Sequence, residues 1–158
     1  MYANKKHYVR NYEHTKDECR HTITIEWPYA KNIDISKIES IEETSMYWRK
    51  ANAIHKWFVD NVQDWKDDCR TYEFDGDILD ELSDIINKII NWSKIEDWKV
   101  IVNPELAHAL LPTSRWFFFG GTEYDEYYIQ TLQDTKVRID WLKVDGTVQG
   151  NYTYRSSR

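Results

Sequence analysis

Cysteine is scarce in this sequence of 158 residues, and its scarcity excludes several kinds of site. Cys19 and Cys69 stand alone, without the Cys-x-x-Cys spacing of a zinc knuckle or the larger even set of cysteines typical of a disulfide framework. The five histidines are scattered and form no ligand motif such as His-Glu-x-x-His. We therefore expect two free thiols, no structural metal and no cofactor.

Long apolar stretches and an excess of positive charge are also missing. No run approaches the roughly 20 apolar residues that cross a bilayer, and the opening MYANKKHYVRNYEH lacks the apolar core of a signal peptide. The 21 Lys and Arg are outnumbered by 27 Asp and Glu, which gives a net charge of -6, whereas general nucleic-acid binding needs basic residues in bulk. The sequence thus predicts a cytoplasmic protein that binds neither membranes nor bulk nucleic acid.

Aromatic residues are abundant instead: the chain carries 8 Trp, 11 Tyr and 5 Phe. Such side chains fill cores and also line pockets and interfaces. The length fits one domain with a single core. We predict one α+β domain over residues 1–144, with three main helices packed on a small, mostly antiparallel sheet. Residues 145–158 carry turn residues without apolar periodicity, so we expect a C-terminal extension that is a hairpin or loosely ordered.

Three segments have the apolar spacing of amphipathic helices, and they cover residues 45–63, 77–92 and 123–144. A shorter helix is expected after Pro104, since proline suits the first helical turn. Residues 33–43 are interpreted as a connector with some helix, and 93–104 fit neither class. Strands are predicted where β-branched or aromatic residues cluster or alternate with polar ones, at 6–12, 21–27, 71–74 and 116–119.

The stretch YWRKANAIHKWF, residues 47–58, carries the first candidate site. At helical spacing, Tyr47 and Phe58 fall on an apolar stripe that faces the core, while Trp48, Asn52 and His55 form a row beside it. An aromatic face with an amide and an imidazole one turn away suits a planar polar ligand, whose charge Arg49 or Lys50 would pair with from the rim. The alternative is that this row packs under the aromatic run at 116–119.

The stretch RWFFFGGTEYDEYY, residues 115–128, offers an opposing wall. Backbone N–H groups at a glycine-to-helix junction can hold an anion, although the carboxylates at 123, 125 and 126 would repel phosphate. The simpler interpretation is a strand, a turn and a helix capped by Thr122 in a T-x-x-D box. Together the two stretches give one candidate ligand-binding set: Trp48, Arg49, Lys50, Asn52, His55, Phe117, Phe119, Gly120, Gly121, Thr122 and Tyr124.

The longer segments YWRKANAIHKWFVDNVQD, DDCRTYEF and LLPTSRWFFFGGTEYDEYY closely resemble a family of small phage and prophage proteins. Members typically open with a segment similar to MGLDMYL, and the resemblance covers most of residues 1–142. The present chain departs from the family in its start MYANKK, in the insertion NWSKIEDWKVIVNPELAHA and in the Tyr-rich segment after Val144. The resemblance implies a gene context without implying a catalytic residue.

Three functions fit these observations. The leading hypothesis is a phage accessory protein, acting against host defence from the host cytoplasm, that sequesters a small nucleotide-like ligand. The alternative is an inhibitor that binds a host defence protein directly. The third is a small hydrolase that uses His55 with a carboxylate such as Asp125, but no catalytic motif accompanies His55, so we assign no catalytic residue and favour a protein that is not an enzyme. A homo-oligomer is left open.

Overall fold

The computed structural model describes residues 1–8, 33–34, 37–96, 99–115, 120–144 and 150–156. Six strands and four helices occur in these ranges. In chain order they are β1 (Tyr2–Tyr8), β2 (Ser40–Tyr47), α1 (Asn52–Asn61), β3 (Tyr72–Asp75), α2 (Asp77–Trp92), β4 (Lys94–Glu96), β5 (Lys99–Ile101), α3 (Pro104–Leu110), α4 (Glu126–Val144) and β6 (Asn151–Arg155).

The main sheet has the strand order β2-β1-β6-β3, and every neighbouring pair in it is antiparallel. A separate antiparallel pair joins β4 to β5 within the segment 93–104 that sequence patterns left unassigned. Four helices with a four-stranded antiparallel sheet confirm the predicted α+β class, with the short α3 in addition to the three main helices. Asn103 caps α3, because its side chain accepts a hydrogen bond of 3.1 Å from the N–H of Leu106.

The prediction for residues 77–92 is confirmed, since α2 has those bounds. Leu79, Leu82, Ile86 and Ile89 recur every three or four residues and are all buried, which gives this helix one apolar face for the core. The third predicted helix is also present as α4, although it begins at Glu126 instead of residue 123. Its predicted inner face is largely buried, at Tyr128, Leu132, Thr135 and Ile139.

The predicted helix at 45–63 is wrong at its start, because residues 40–47 form strand β2 and α1 begins only at Asn52. Ser40–Tyr47 pairs with β1 on both sides of a register shift at Ser45, and these interstrand hydrogen bonds replace the local helical ones. The interpretation of residues 33–43 as a connector with some helix is wrong for the same reason at 40–43. Tyr47 therefore leaves the predicted core stripe: it lies opposite Tyr2 at the end of the strand and is 46% exposed.

The expectation of a hairpin or a loose end in the C-terminal segment is wrong for residues 151–155. This segment forms β6, which lies inside the main sheet and pairs with β1 on one side and with β3 on the other. Tyr152 and Tyr154 are fully buried, and Phe58 stacks on Tyr154 with ring centroids 4.1 Å apart. Burial of these rings stabilises β6, which sequence periodicity over five residues did not indicate.

Two of the predicted strands, 21–27 and 116–119, lie outside the described residues. The predicted strand at 71–74 is confirmed with a shift of one residue, as β3. The alternating run at 6–12 overlaps β1, which begins earlier, at Tyr2. The core that joins the sheet to the helices is strongly aromatic, with Phe74 against both Phe58 and Tyr152 at centroid distances of 5.4 Å.

Candidate functional site

The junction between β2 and α1 sends alternate side chains to opposite sides. Lys50 has a positive φ of 57°, a turn that separates the strand from the helix. The N–H of Trp48 donates to the carbonyl of Met1 over 3.0 Å, so the chain is still tied to β1 at this point. Because the backbone is extended up to Trp48, the Trp48 ring points into the core, while Tyr47 and Arg49 are exposed.

Trp48 is a core residue, in contrast to its predicted place at the flank of the helix. Its side chain is only 5% exposed, and its ring lies 5.5 Å from Phe58 and 6.4 Å from Tyr154. The indole Nε1–H donates to the hydroxyl of Thr135 over 2.9 Å, which satisfies the one polar group of the ring. The ring therefore packs against Phe58 and Tyr154, and the stacking of a ligand on it stays a prediction.

Asn52 is also occupied. Its Nδ2 donates to the carbonyl of Ser114 over 2.9 Å, and its Oδ1 accepts from the N–H of Ser114 over 2.7 Å. The side-chain amide thus bonds to both backbone groups of Ser114, as the backbone of a neighbouring β-strand would do. Asn52 holds two segments together, and these two bonds take up the groups that were predicted to contact a ligand.

His55 lies fully buried in a chain of three side chains. Its Nδ1 is 2.7 Å from the Tyr154 hydroxyl, and its Nε2 is 3.1 Å from a carboxylate oxygen of Asp67. The neutral ring with its proton on Nε2 satisfies both partners, since the tyrosine then donates to Nδ1. Burial lowers the pKa of His55, and Asp67 partly opposes that shift. Burial also raises the pKa of Tyr154.

This arrangement corrects one part of the hydrolase hypothesis, the carboxylate that was expected beside His55. The carboxylate beside His55 belongs to Asp67, whereas Asp125 accepts from the N–H of Tyr128 over 3.0 Å at the start of α4. A general base must reach the proton that it removes. His55 has no exposed surface, so no reactant can approach its ring in this structure.

Of the two glycines, Gly120 is required by the packing of the chain. Gly120 has a φ of +82°, and a Cβ built on it would lie 2.0 Å from the carbonyl oxygen of Lys50. The loop can therefore approach the β2–α1 junction only with glycine at this position. Phe117 and Phe119, which form the predicted aromatic wall, lie outside the described residues.

Thr122 does not cap α4, which is a correction of the predicted T-x-x-D box. The helix begins four residues later, at Glu126, and Asp125 caps it. The Thr122 carbonyl instead accepts a hydrogen bond of 2.8 Å from the hydroxyl of Thr113. Tyr124 is half-buried and its hydroxyl accepts from the N–H of Thr113 over 3.3 Å. Both residues thus fasten the loop 111–115 to the start of α4.

A small cavity of about 30 Å³ brings several of the predicted residues together. Lys50, Asn52 and Gly121 line it, as do the carboxylate-bearing Glu123 and Asp125. The space holds about one water molecule. Two carboxylates beside so small a space oppose an anion, as the sequence also indicates.

A second opening, larger than this cavity, lies next to it between the β2–α1 junction and α4. This β2–α4 cleft has a volume of about 270 Å³. Trp48 and Thr135 form part of its floor, and both are buried. Its full lining is Tyr47, Trp48, Arg49, Ala51, Tyr127, Gln130, Thr131, Asp134, Thr135 and Arg138.

Two tyrosines at the cleft are half exposed yet held in place. Tyr47 is 46% exposed and packs against Tyr2 with ring centroids 5.0 Å apart. Tyr127 is 47% exposed, and its hydroxyl donates to the carbonyl of Arg49 over 3.0 Å. That bond joins α4 to the β2–α1 junction across the cleft. Both rings therefore offer aromatic surface to a ligand without first having to be ordered.

The cleft also carries charged side chains with no ion pair among the described residues. Arg49, Asp134 and Arg138 are exposed there and make no such pair. On the same helix, Lys136 pairs with Asp140, and Lys143 reaches Asp80 of α2 over 2.7 Å. The arginines of the cleft are thus available to an incoming anion.

The predicted set and the lining of the cleft overlap at the β2–α1 junction. Trp48 and Arg49 belong both to the predicted set and to the lining, but the contribution of α4 was not predicted. A signal for it exists: Tyr127, Thr131, Asp134 and Arg138 recur at helical spacing, as a polar row beside the apolar face of α4. Tertiary packing places this row opposite Arg49, and the spacing within α4 does not predict that position.

Comparison with protein-family models, with curated proteins and with solved structures yields no match. Within the described residues, no group of three or more His, Cys, Asp or Glu side chains is arranged to hold a metal ion. The thiol of Cys69 is free and exposed. None of the described helices combines the length and apolar character that crossing a membrane requires.

Proposed function

We propose that this protein is a phage accessory protein, directed against host defence, that binds and sequesters a small nucleotide-like ligand in the β2–α4 cleft. The observation that carries the proposal is the convergence of two arginines and two half-exposed tyrosines on one opening of about 270 Å³. Guanidinium groups bind phosphate through paired hydrogen bonds, and aromatic rings stack on bases. The phage context rests on the resemblance of residues 47–64, 67–74 and 110–128 to phage and prophage proteins.

Sequestration fits the site better than catalysis does. The described lining of the cleft holds one acidic side chain and two basic ones, but no histidine, cysteine or lysine that could act as a nucleophile or shuttle a proton. The buried His55 is not among the lining residues. A ligand that enters should therefore leave chemically unchanged.

Retention of ligand tests the proposal. The purified chain is mixed with the small-molecule fraction of infected cells, separated from unbound compounds and then denatured, and the released compounds are identified by mass spectrometry. We expect one nucleotide at a stoichiometry near one to one, unchanged. Arg49→Gln should weaken its binding by about tenfold or more, since a charge-assisted hydrogen bond is worth about 1.5 to 3 kcal/mol.

The matched control is Arg70→Gln, because Arg70 is an exposed arginine that pairs with Asp68 and does not line the cleft. It should bind as the unaltered chain does. Failure to retain any nucleotide would contradict the proposal. Release of an altered compound would identify the hydrolase instead.

A second candidate function is supported by a different surface. Val137, Trp141 and Val144 lie on one side of α4 and are 54%, 68% and 85% exposed. Clustered exposed apolar side chains are typical of protein-binding surfaces. This row favours the inhibitor that binds a host defence protein, and Trp141→Glu should then abolish copurification of that partner while nucleotide binding is unchanged.

A further inference from the structure

The β2–α4 cleft contains an acid and a base that would be expected to pair with each other and do not. Asp134 and Arg138 stand one helical turn apart, with the acid on the N-terminal side, which is the order that favours an ion pair on a helix. Both are exposed and line the cleft, yet no ion pair joins them. Lys136 and Asp140, in the less favourable order on the same helix, do pair.

The separation of Asp134 from Arg138 leaves two different recognition groups at one opening. A guanidinium matches the oxygens of a phosphate, and a carboxylate accepts hydrogen bonds from hydroxyl groups. A compound that carries both a phosphate and neighbouring hydroxyls satisfies the two side chains at once. Ribose phosphates have this combination, and an acidic side chain at the sugar hydroxyls is a general means of recognising ribose.

The size of the cleft limits the ligand further. Ligand pockets generally measure about 300 to 1,000 Å³, so an opening of about 270 Å³ lies just below that range. One base, one sugar and one phosphate suit such a volume better than two linked nucleotides do. The rings of Tyr47 and Tyr127 supply the aromatic surface that the base requires.

Charge limits the number of phosphates. The lining offers two positive side chains and one negative one, in a chain whose net charge is -6. Each phosphate beyond the first adds negative charge that Asp134 and the overall field of the protein oppose. The site therefore favours a single phosphate group over a triphosphate.

We propose that the β2–α4 cleft selects a ribonucleoside monophosphate, with Arg49 and Arg138 at the phosphate, Asp134 at the sugar hydroxyls and a tyrosine ring against the base. This inference rests on the proposed function and specifies its ligand class. The bond from the Tyr127 hydroxyl to the Arg49 carbonyl fixes the two walls relative to each other before the ligand arrives.

Calorimetric titration with defined compounds tests the selection. The compounds are the 5′-monophosphates of adenosine, guanosine, cytidine and uridine, the matching nucleosides, triphosphates and 2′-deoxy monophosphates, and a cyclic dinucleotide. For at least one base, we expect the ribonucleoside monophosphate to bind about tenfold or more tightly than its nucleoside, and more tightly than the triphosphate or the cyclic dinucleotide. It should also bind more tightly than its deoxy form.

Two substitutions separate the roles of the paired residues. Arg138→Gln should reduce the affinity for the monophosphate toward that for the nucleoside, while leaving nucleoside binding unchanged. Asp134→Asn should reduce the preference for ribose over deoxyribose and should strengthen triphosphate binding. Both side chains are exposed, so each variant should melt within a few degrees of the unaltered chain. Arg70→Gln again serves as the control for loss of a positive charge.

The outcomes distinguish this inference from the proposed function. Tighter binding of the triphosphate or the cyclic dinucleotide than of every monophosphate would overturn the selection of a monophosphate and leave a nucleotide-binding cleft in place. If Arg138→Gln binds the monophosphate as tightly as the unaltered chain does, the selection of a monophosphate is likewise overturned and the nucleotide-binding cleft is kept. If none of the compounds binds and infected-cell extract also yields no retained nucleotide, both proposals fail together.

Discussion

Two aromatic residues that the sequence places on one apolar stripe differ in burial. Their substitution by alanine should therefore lower the free energy of unfolding by different amounts. Phe58 is fully buried and stacks on Tyr154, whereas Tyr47 is 46% exposed. Phe58→Ala should lower the free energy of unfolding by about 3 to 5 kcal/mol, as is usual for a large ring removed from a core. Tyr47→Ala should lower it by less than about 1 kcal/mol.

Urea denaturation of both variants measures this difference. Helical periodicity alone predicts equal losses, because it places Tyr47 and Phe58 on the same face of one helix. Equal losses would therefore support a helix that starts before residue 47 and contradict the pairing of Ser40–Tyr47 with β1.

His55 makes the stability of the fold depend on pH. Burial lowers the pKa of His55 below its ordinary value of 6.5, so the unfolded chain takes up a proton at a higher pH than the folded chain does. Neutral His55 thus contributes stability that is fully present above about pH 6.5 and is lost as the pH falls through the lowered pKa. The free energy of unfolding should decrease between pH 7.5 and pH 5.5.

The matched pair of variants for this test is His55→Gln and His108→Gln, since His108 is an exposed histidine on α3. His55→Gln should remove much of the decrease between the two pH values, and His108→Gln should retain it. If His55→Gln shows the same decrease as the unaltered chain, another group is responsible.

At the scale of whole elements, the loop before α4 is fitted to the β2–α1 junction. Gly120 has a positive φ and leaves no room for a Cβ beside the Lys50 carbonyl, whereas a Cβ at Gly121 would meet nothing closer than 4.0 Å. Gly120→Ala should therefore lower the free energy of unfolding by more than about 1 kcal/mol, from backbone strain and the clash together. Gly121→Ala should change it little.

Gly121→Ala is the control for Gly120→Ala, because it adds the same methyl group one residue away. Thermal denaturation of the two variants measures the difference in stability. A similar melting temperature for both would mean that the loop can move away from Lys50 without loss. Lys50 and Gly121 line the small cavity beside the β2–α4 cleft, so Gly120→Ala should also weaken nucleotide binding.

Sequence patterns correctly predict an element when the residues within that element are enough to determine its secondary structure. α2 carries four buried apolar residues at helical spacing, and its bounds were predicted without error. β2 contains Glu42, Glu43 and Thr44 on exposed positions and depends on β1 for its hydrogen bonds. Its strand conformation follows from that pairing, so no local pattern could indicate where the strand ends and α1 begins.

The predicted set and the lining of the cleft overlap only in part, for a related reason. The polar and aromatic character of residues 47–55 pointed to the β2–α1 junction, but burial of Trp48, Asn52 and His55 depends on Thr135, Ser114 and Tyr154, which are distant along the chain. Periodicity gives the direction of a side chain on its own element. It does not give the partner that will cover it.

At the scale of the whole molecule, β6 connects the first strand to β3, and its removal should prevent folding. A chain that ends at residue 150 loses Tyr152 and Tyr154, both fully buried, and leaves β1 without one of its two neighbours. We expect no cooperative unfolding transition and no native tertiary circular dichroism for this chain. A chain that ends at residue 156 keeps all of β6 and should unfold as the full sequence does.

A folded product from the shorter chain would contradict the central place of β6 in the sheet. Its far-ultraviolet spectrum alone would not decide the matter, because α2 and α4 can retain helical signal after specific packing is lost. The loss of cooperativity is the decisive measurement.

The strand order β2-β1-β6-β3 also determines when a newly made molecule can acquire its structure. A ribosome releases β1 before the other described elements, and β6 only after α1, α2, α3 and α4 have been made. Until then β1 and β3 each lack the strand that lies between them, and their edges are open to other nascent chains. The main sheet should therefore form only after translation of residue 155, and an incomplete chain should aggregate more readily than the full one.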